Sequence, residues 1–262
     1  MADLQFKVLR NCKTAFEMAG HGAPLLMLHG GEADRRMFQD AIAHLQNTFL
    51  TITYDQRGCG ETQVNDELDY GLGDLADDAA DLIASLGYEK MHVLGQSAGG
   101  MVAQMLALRW PGRVDKLILQ ATAPLTSAKQ VFEDERMRET MKAMAERGPA
   151  AIAGLFSTPS YVAEHPEILD VLATRRGSRS PEDFGRRMLA LKTFASVDLG
   201  NITAPTLVLC PEHDQIIPRA LSEEMSKAIP NATFQVYPNA GHIGIMQFPE
   251  GFSKTITKFL TA

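Results

Sequence analysis

Only three cysteines occur in the 262 residues, Cys12, Cys59 and Cys210, and no pair has the CxxC or Cys/His spacing of a metal site. So odd and sparse a set excludes a disulfide framework and gives no zinc-ligand pattern. Cys210 closes an apolar run and is expected to be a small core residue. No apolar run reaches the length of a bilayer span, and Met1 to Lys7 has neither a basic start nor an apolar stretch of the secretory type, so a cytoplasmic location away from membranes is expected. Positive charge is also short: 25 Lys and Arg stand against 32 Asp and Glu, a formal net charge of -7. Phosphate backbones are bound by neutralising cations, so nucleic acid is not an expected partner. Repeats and low-complexity tracts are missing too.

What is present is a sequence of alternating strand-like and helix-like segments. Leu4 to Leu9 and Thr14 to Met18 suit an edge hairpin. Pro24 to Leu28, Phe49 to Tyr54, Met91 to Leu94, Val114 to Leu119 and Pro205 to Cys210 are apolar runs of strand length, as expected for strands covered on both faces. Helical spacing separates them over Arg36 to Leu45, Leu75 to Leu86, Ser97 to Leu108, Ala220 to Ile229 and Phe248 to Leu260. The alternation predicts an α/β fold, a doubly wound, mostly parallel sheet of about eight strands with helices on both faces and a site at the strands' carboxyl ends.

Residues 124–197 break the alternation with helical sequence and no convincing strand. The expected organisation is a core of residues 1–123 and 198–262 with a helical lid inserted at 124–197. Its apolar positions include Met137, Met141, Met144, Leu155, Phe156, Phe184, Met188, Leu191 and Phe194. Most should pack in the insertion's own core and a few should line a substrate pocket.

Gly95-Gln96-Ser97-Ala98-Gly99 follows the run Met91 to Leu94 and opens a helical stretch. A strand that turns at once into a helix needs a tight bend, which small flanking residues permit while the serine hydroxyl projects from the tip. Ser97 is therefore the candidate nucleophile. A serine hydroxyl needs a histidine to take its proton and a carboxylate to orient that histidine. His242 lies in Asn239-Ala240-Gly241-His242, a loop after the strand-like run Thr233 to Tyr237. Asp214 follows the strand ending at Cys210 and is preferred as the acid, with Glu212 its neighbouring competitor and helix capping the ordinary role of such an aspartate.

In the order Ser97, Asp214, His242, and with Leu28-His29-Gly30-Gly31, Asp55-Gln56-Arg57-Gly58-Cys59-Gly60 and Asn239 to His242, the sequence resembles the α/β-hydrolase fold superfamily over all but the insertion. The resemblance implies an oxyanion hole formed by the Gly31 and Ala98 N–H groups and acyl chemistry without a cofactor or metal, on a small-molecule acyl substrate. Asp55 and Arg57 are expected to pair locally and brace the site wall. Ester or lactone hydrolysis is the expected task. The loops are also similar to those of proline iminopeptidases, although Glu32-Ala33 replaces their Pro-Gly. Carbon–carbon bond hydrolysis, perhydrolysis and a receptor role without turnover are further activities open to the same fold. A monomer or homodimer is expected.

Overall fold

The computed structural model describes residues 3–31, 33–64, 69–147, 153–174 and 180–262; within these, the side chains of 136, 141, 144, 145 and 147 are not described. Glu32 and the side chains of Met141 and Met144 thus lie outside the described residues.

The apolar runs become strands of one sheet: β1 (Gln5–Val8), β2 (Cys12–Gly20), β3 (Ala23–Leu28), β4 (Phe49–Tyr54), β5 (Gln63–Val64), β6 (Met91–Gln96), β7 (Val114–Gln120), β8 (Thr206–Pro211) and β9 (Ala232–Tyr237). Their order is β1-β2-β4-β3-β6-β7-β8-β9, with the two-residue β5 paired to β2. β1, β2 and β4 run antiparallel in succession, whereas the strands from β4 across to β9 in that order are parallel. The nine strands against about eight expected differ by β5, too short to carry a period-2 signal.

Parallel neighbours require crossovers, and the core helices supply them: α1 (Gln39–Leu45), α2 (Leu72–Ser85) and α3 (Ala98–Arg109) before the insertion. Between β7 and β8 the described residues form α4 (Ala128–Glu133), α5 (Glu135–Arg147), α6 (Ala153–Phe156), α7 (Pro159–Glu164), α8 (Ile168–Thr174) and α9 (Pro181–Lys192), with no strand among them. α10 (Arg219–Ala228), α11 (Gly244–Gln247) and α12 (Pro249–Thr261) complete the chain.

Side chains alternate across each strand, so one run feeds two cores. Leu26, Leu28, Val93, Leu117 and Val208 pack with Leu75, Ala79, Val102 and Leu106 of α2 and α3. Leu25, Met27, Leu94, Ile118 and Leu207 pack with Leu45 of α1 and Phe252, Ile256 and Leu260 of α12. Each such large side chain contributes about 1.5–3 kcal/mol on full burial. The result is a rigid platform whose strand ends β3, β4, β6, β8 and β9 emerge on one side.

Helix starts depart from expectation. α2 begins at Leu72 rather than Leu75, its first turn held by the Gly71 N–H donating to Asp74 Oδ2 at 2.8 Å. Arg35–Phe38 is a 3-10 turn because the Asp34 side chain accepts the Arg36 N–H, and α1 begins only at Gln39. Met37 and Phe38 are buried in this geometry, so apolar spacing did not distinguish it from a helix. α12 starts at Pro249, which suits a first helical position, behind the separate short α11. Among the described residues no helix is long and apolar enough to cross a membrane.

Candidate active site

Ser97 sits between β6 and α3 with φ 53° and ψ −121°. A non-glycine residue rarely adopts that backbone, and its neighbours hold it there. Ser97 N–H donates to Gln120 O at 3.0 Å, and Thr122 Oγ1 donates to Ser97 O at 2.7 Å. The flanking glycines are sterically required: a Cβ on Gly95 would lie 2.5 Å from Gly99 O, and one on Gly99 would collide with the Leu28 carbonyl oxygen.

Beside it, His242 Nε2 lies 3.0 Å from Ser97 Oγ, and His242 Nδ1 lies 2.9 Å and 3.1 Å from the Asp214 carboxylate oxygens. The carboxylate only accepts, so the Nδ1 proton faces Asp214 and the Nε2 lone pair faces the serine hydroxyl. Both side chains are almost fully buried, 2% and 1% exposed, which keeps competing water from the contact. Asp214 Oδ1 also accepts N–H bonds from Ile216 at 2.8 Å and Ile217 at 2.9 Å. Its turn-forming role and its contact with His242 therefore coexist. Glu212 instead accepts the Asn239 N–H at 2.9 Å and is half-exposed, away from the imidazole.

Gly31 faces the start of α3: a Cβ built on it would lie 3.6 Å from Ala98 Cβ. The Ala98 N–H belongs to the first turn of α3, where no helical carbonyl precedes it and the helix's positive end is directed. Gly31, Ser97, Ala98 and His242 border one narrow cavity of about 80 Å³. Of the insertion's apolar positions, Met137, Phe156, Met188 and Leu191 line it. Leu155, Phe184 and Phe194 do not, although Phe194 packs against the core cluster to which α2 and α3 contribute. Phe156 meets the His242 ring edge-on at a centroid distance of 5.6 Å, and its carbonyl accepts the Ile243 N–H at 2.9 Å.

Asp55 and Arg57 do not pair with each other, contrary to the sequence expectation. Asp55 accepts from Arg35 Nη1 at 2.6 Å, whereas Arg57 makes a two-pronged contact with Asp78 of α2 at 2.7 Å and 2.9 Å. Partners about twenty residues away left no local signal. Burial pushes the Asp55 carboxyl up, opposed by N–H bonds from Glu61 and Arg35, and burial likewise pushes Asp78 up against its Arg57 bonds.

Two glutamines with no sequence signal also support the site. Gln96, the variable residue of the serine turn, donates to His242 O at 3.1 Å; Gln56 donates through its backbone to His29 Nε2 at 3.1 Å and through its amide to His29 O at 2.7 Å. No spacing rule marks a glutamine for such work. The cysteines are all buried, Cys210 among them. Among the described residues no group of three His, Cys, Asp or Glu side chains could hold a metal ion.

The protein named "Putative carbamate hydrolase RutD" from Yersinia enterocolitica is 29% identical over 258 residues, covering 94% of this chain and 91% of that protein. A thermophilic esterase from Thermogutta terrifontis superposes with a TM-score of 0.81 at 31% identity, covering 95% of this chain and 93% of that one. The enol-lactonase from Burkholderia xenovorans LB400 shares the fold, with a TM-score of 0.85 at 22% identity and coverage of 98% and 100%. Hydrolase is the enzyme class that the Yersinia enterocolitica relative and the Thermogutta terrifontis esterase support. The model of the α/β hydrolase fold matches residues 23–161 and 134–249. That span reaches from β3 to the start of α12 and includes Ser97, Asp214 and His242, and the chain belongs to the α/β-hydrolase fold family.

Proposed function

We propose that this chain is a serine hydrolase that cleaves small carboxylic esters or lactones through an acyl-enzyme on Ser97. The observation that carries the reading is the continuous contact from Ser97 Oγ to His242 Nε2 at 3.0 Å and from His242 Nδ1 to Asp214 at 2.9 Å. His242 Nε2 takes the hydroxyl proton as Oγ attacks the substrate carbonyl carbon. The carbonyl oxygen becomes an oxyanion, accepting bonds from the Gly31 and Ala98 N–H groups, which are fixed beforehand and need no reorganisation. Asp214 stabilises the imidazolium. His242 then passes its proton to the departing alkoxide, and a water molecule, deprotonated by the same nitrogen, cleaves the acyl-enzyme. The scheme calls for no cofactor.

Residues 124–197 act in this reading as a lid. Phe156, Met188 and Leu191 give the cavity apolar walls, which suits an apolar acyl group. The esterase neighbour supports an ester substrate. The name of the Yersinia enterocolitica relative favours a second reading, a carbamate, whose carbonyl the same serine would attack.

The test is turnover of p-nitrophenyl acetate and butyrate beside an aryl carbamate. Ester hydrolysis is expected, with Ser97→Ala lowering kcat by about 10⁴-fold or more. Hydrolysis undiminished in that variant would sink the assignment, and faster release from the carbamate would favour the second reading.

A further inference from the structure

Arg187 of α9 is the largest fully buried side chain, 0% exposed. Its Nη2 donates to Gln56 Oε1 at 3.2 Å, while Nε and Nη1 have no hydrogen-bond partner among the described residues. A buried guanidinium left so poorly paired is costly to fold, and its neighbours suggest what the cost supports.

Gln56 leads directly to the turn after β3. Because the His29 Nε2 accepts the Gln56 N–H, the ring proton is on Nδ1, which donates to Gly30 O at 2.8 Å. The Gly30 carbonyl and the Gly31 N–H are opposite ends of one planar peptide unit. Fixing and polarising that carbonyl therefore aims and strengthens the N–H on its other side. α9 also approaches Gly31 itself and Gly58, two residues beyond Gln56. A Cβ on Gly31 would lie 3.7 Å from Met188 Cε, and one on Gly58 would lie 3.6 Å from Asp183 Cβ.

We propose that Arg187 is a positioning residue for the oxyanion donor: its charge-assisted bond holds Gln56, Gln56 holds His29, and His29 fixes the Gly30–Gly31 peptide. The proposal rests on the serine-hydrolase reading, and it links the inserted helix that covers the cavity to the polar group that stabilises the transition state. It also separates activity from stability. Among the described residues no carboxylate pairs with this guanidinium, so removing it should not weaken the fold, yet it should slow the chemical step.

The experiment measures kcat per active serine, titrated with a fluorophosphonate, and thermal midpoint for Arg187→Met, Arg187→Lys and Gln56→Leu, with the partly exposed Arg186→Met as control. Arg187→Met is expected to lower kcat by about 10-fold or more with KM changed by no more than about 2-fold, and to melt no earlier than the unaltered protein. Affinity for a trifluoromethyl ketone, which presents an oxyanion when bound, should fall in parallel. Arg187→Lys should recover part of kcat, and Arg187→Met with Gln56→Leu should lose little more than either alone. An unchanged kcat per titrated serine in both Arg187→Met and Gln56→Leu would overturn the proposal. So would a KM rise confined to carboxylate-bearing esters, which would make Arg187 a substrate ligand. If the unaltered protein neither reacts with the fluorophosphonate nor turns over ester, the hydrolase reading fails and takes the proposal with it, a result visible before any Arg187 variant is made.

Discussion

Ser97 occupies a backbone conformation that costs energy, and the Gln120 and Thr122 bonds to its peptide groups hold it there. Its contact with His242 depends in turn on Asp214, whose two backbone N–H bonds leave it one orientation. Asp214→Asn would keep the shape but present an amide that can favour the wrong imidazole tautomer; kcat for ester hydrolysis is expected to fall by about 10³–10⁴-fold, measured with the fold verified by circular dichroism. A fall of less than about 10-fold would speak against Asp214 as the orienting acid. The cysteines have a reactivity set by their burial. Burial pushes the Cys12 thiol up to about 12, so almost none of it is thiolate at about pH 8. With all three thiols buried, native protein should show no fast-reacting thiol toward an aromatic disulfide reagent and three after unfolding. The proximity of Ser97, Asp214 and His242 was legible because each sits just past a strand end, Ser97 in the bend from β6 straight into α3 and the other two in short loops after β8 and β9. Arg187 was not: nothing in Gly185-Arg186-Arg187-Met188 tells which arginine is buried and which faces solvent, and only α9's placement over Gln56 separates them.

Among the elements, the junction of β6 and α3 leaves no room for a larger residue at Gly95 or Gly99. Its glycines are packed against backbone rather than against flexible side chains: Gly99 against the Leu28 and His29 carbonyls of the neighbouring strand end, and Gly95 against Gly99 and Gly100. Gly99→Ala is expected to destabilise the protein by about 2–4 kcal/mol in a denaturant melt, because neither strand nor helix can retreat without breaking the sheet. Gly112, where an added methyl would meet nothing within 4 Å, serves as the neutral comparison. The strands themselves were legible from continuous apolar runs, since β6 and β8 are buried along their full length. Helix starts were less so. The Asp34 cap converts the first turn before α1 to 3-10 geometry, which apolar spacing reads as helix, and the four-residue α11 ahead of Pro249 is too short to show a helical period.

For the whole molecule, the alternation of strands and helices carried the parallel sheet and its two-sided core, because each crossover helix must cover one face. Strand order follows less directly: β3 and β4 are neighbours with β6 on the far side of β3, a reversal point at which two strand ends diverge. The Gly31 turn leaves β3 there and the Ser97 turn leaves β6, which is why residues far apart in sequence meet around one cavity. The helices between β7 and β8 close it with apolar side chains whose individual contacts depend on how the insertion settles on the core, and no periodicity specifies that. Strand ends, inserted helices and buried polar contacts all serve one proposed event, the acylation of Ser97. Intact-mass measurement after acid quench of a reaction with p-nitrophenyl butyrate, followed by peptide mapping, tests it most directly. The account predicts one butyryl group per chain, carried by the peptide containing Ser97 and missing from Ser97→Ala; an adduct on another residue, or turnover by Ser97→Ala equal to that of the unaltered protein, would contradict it.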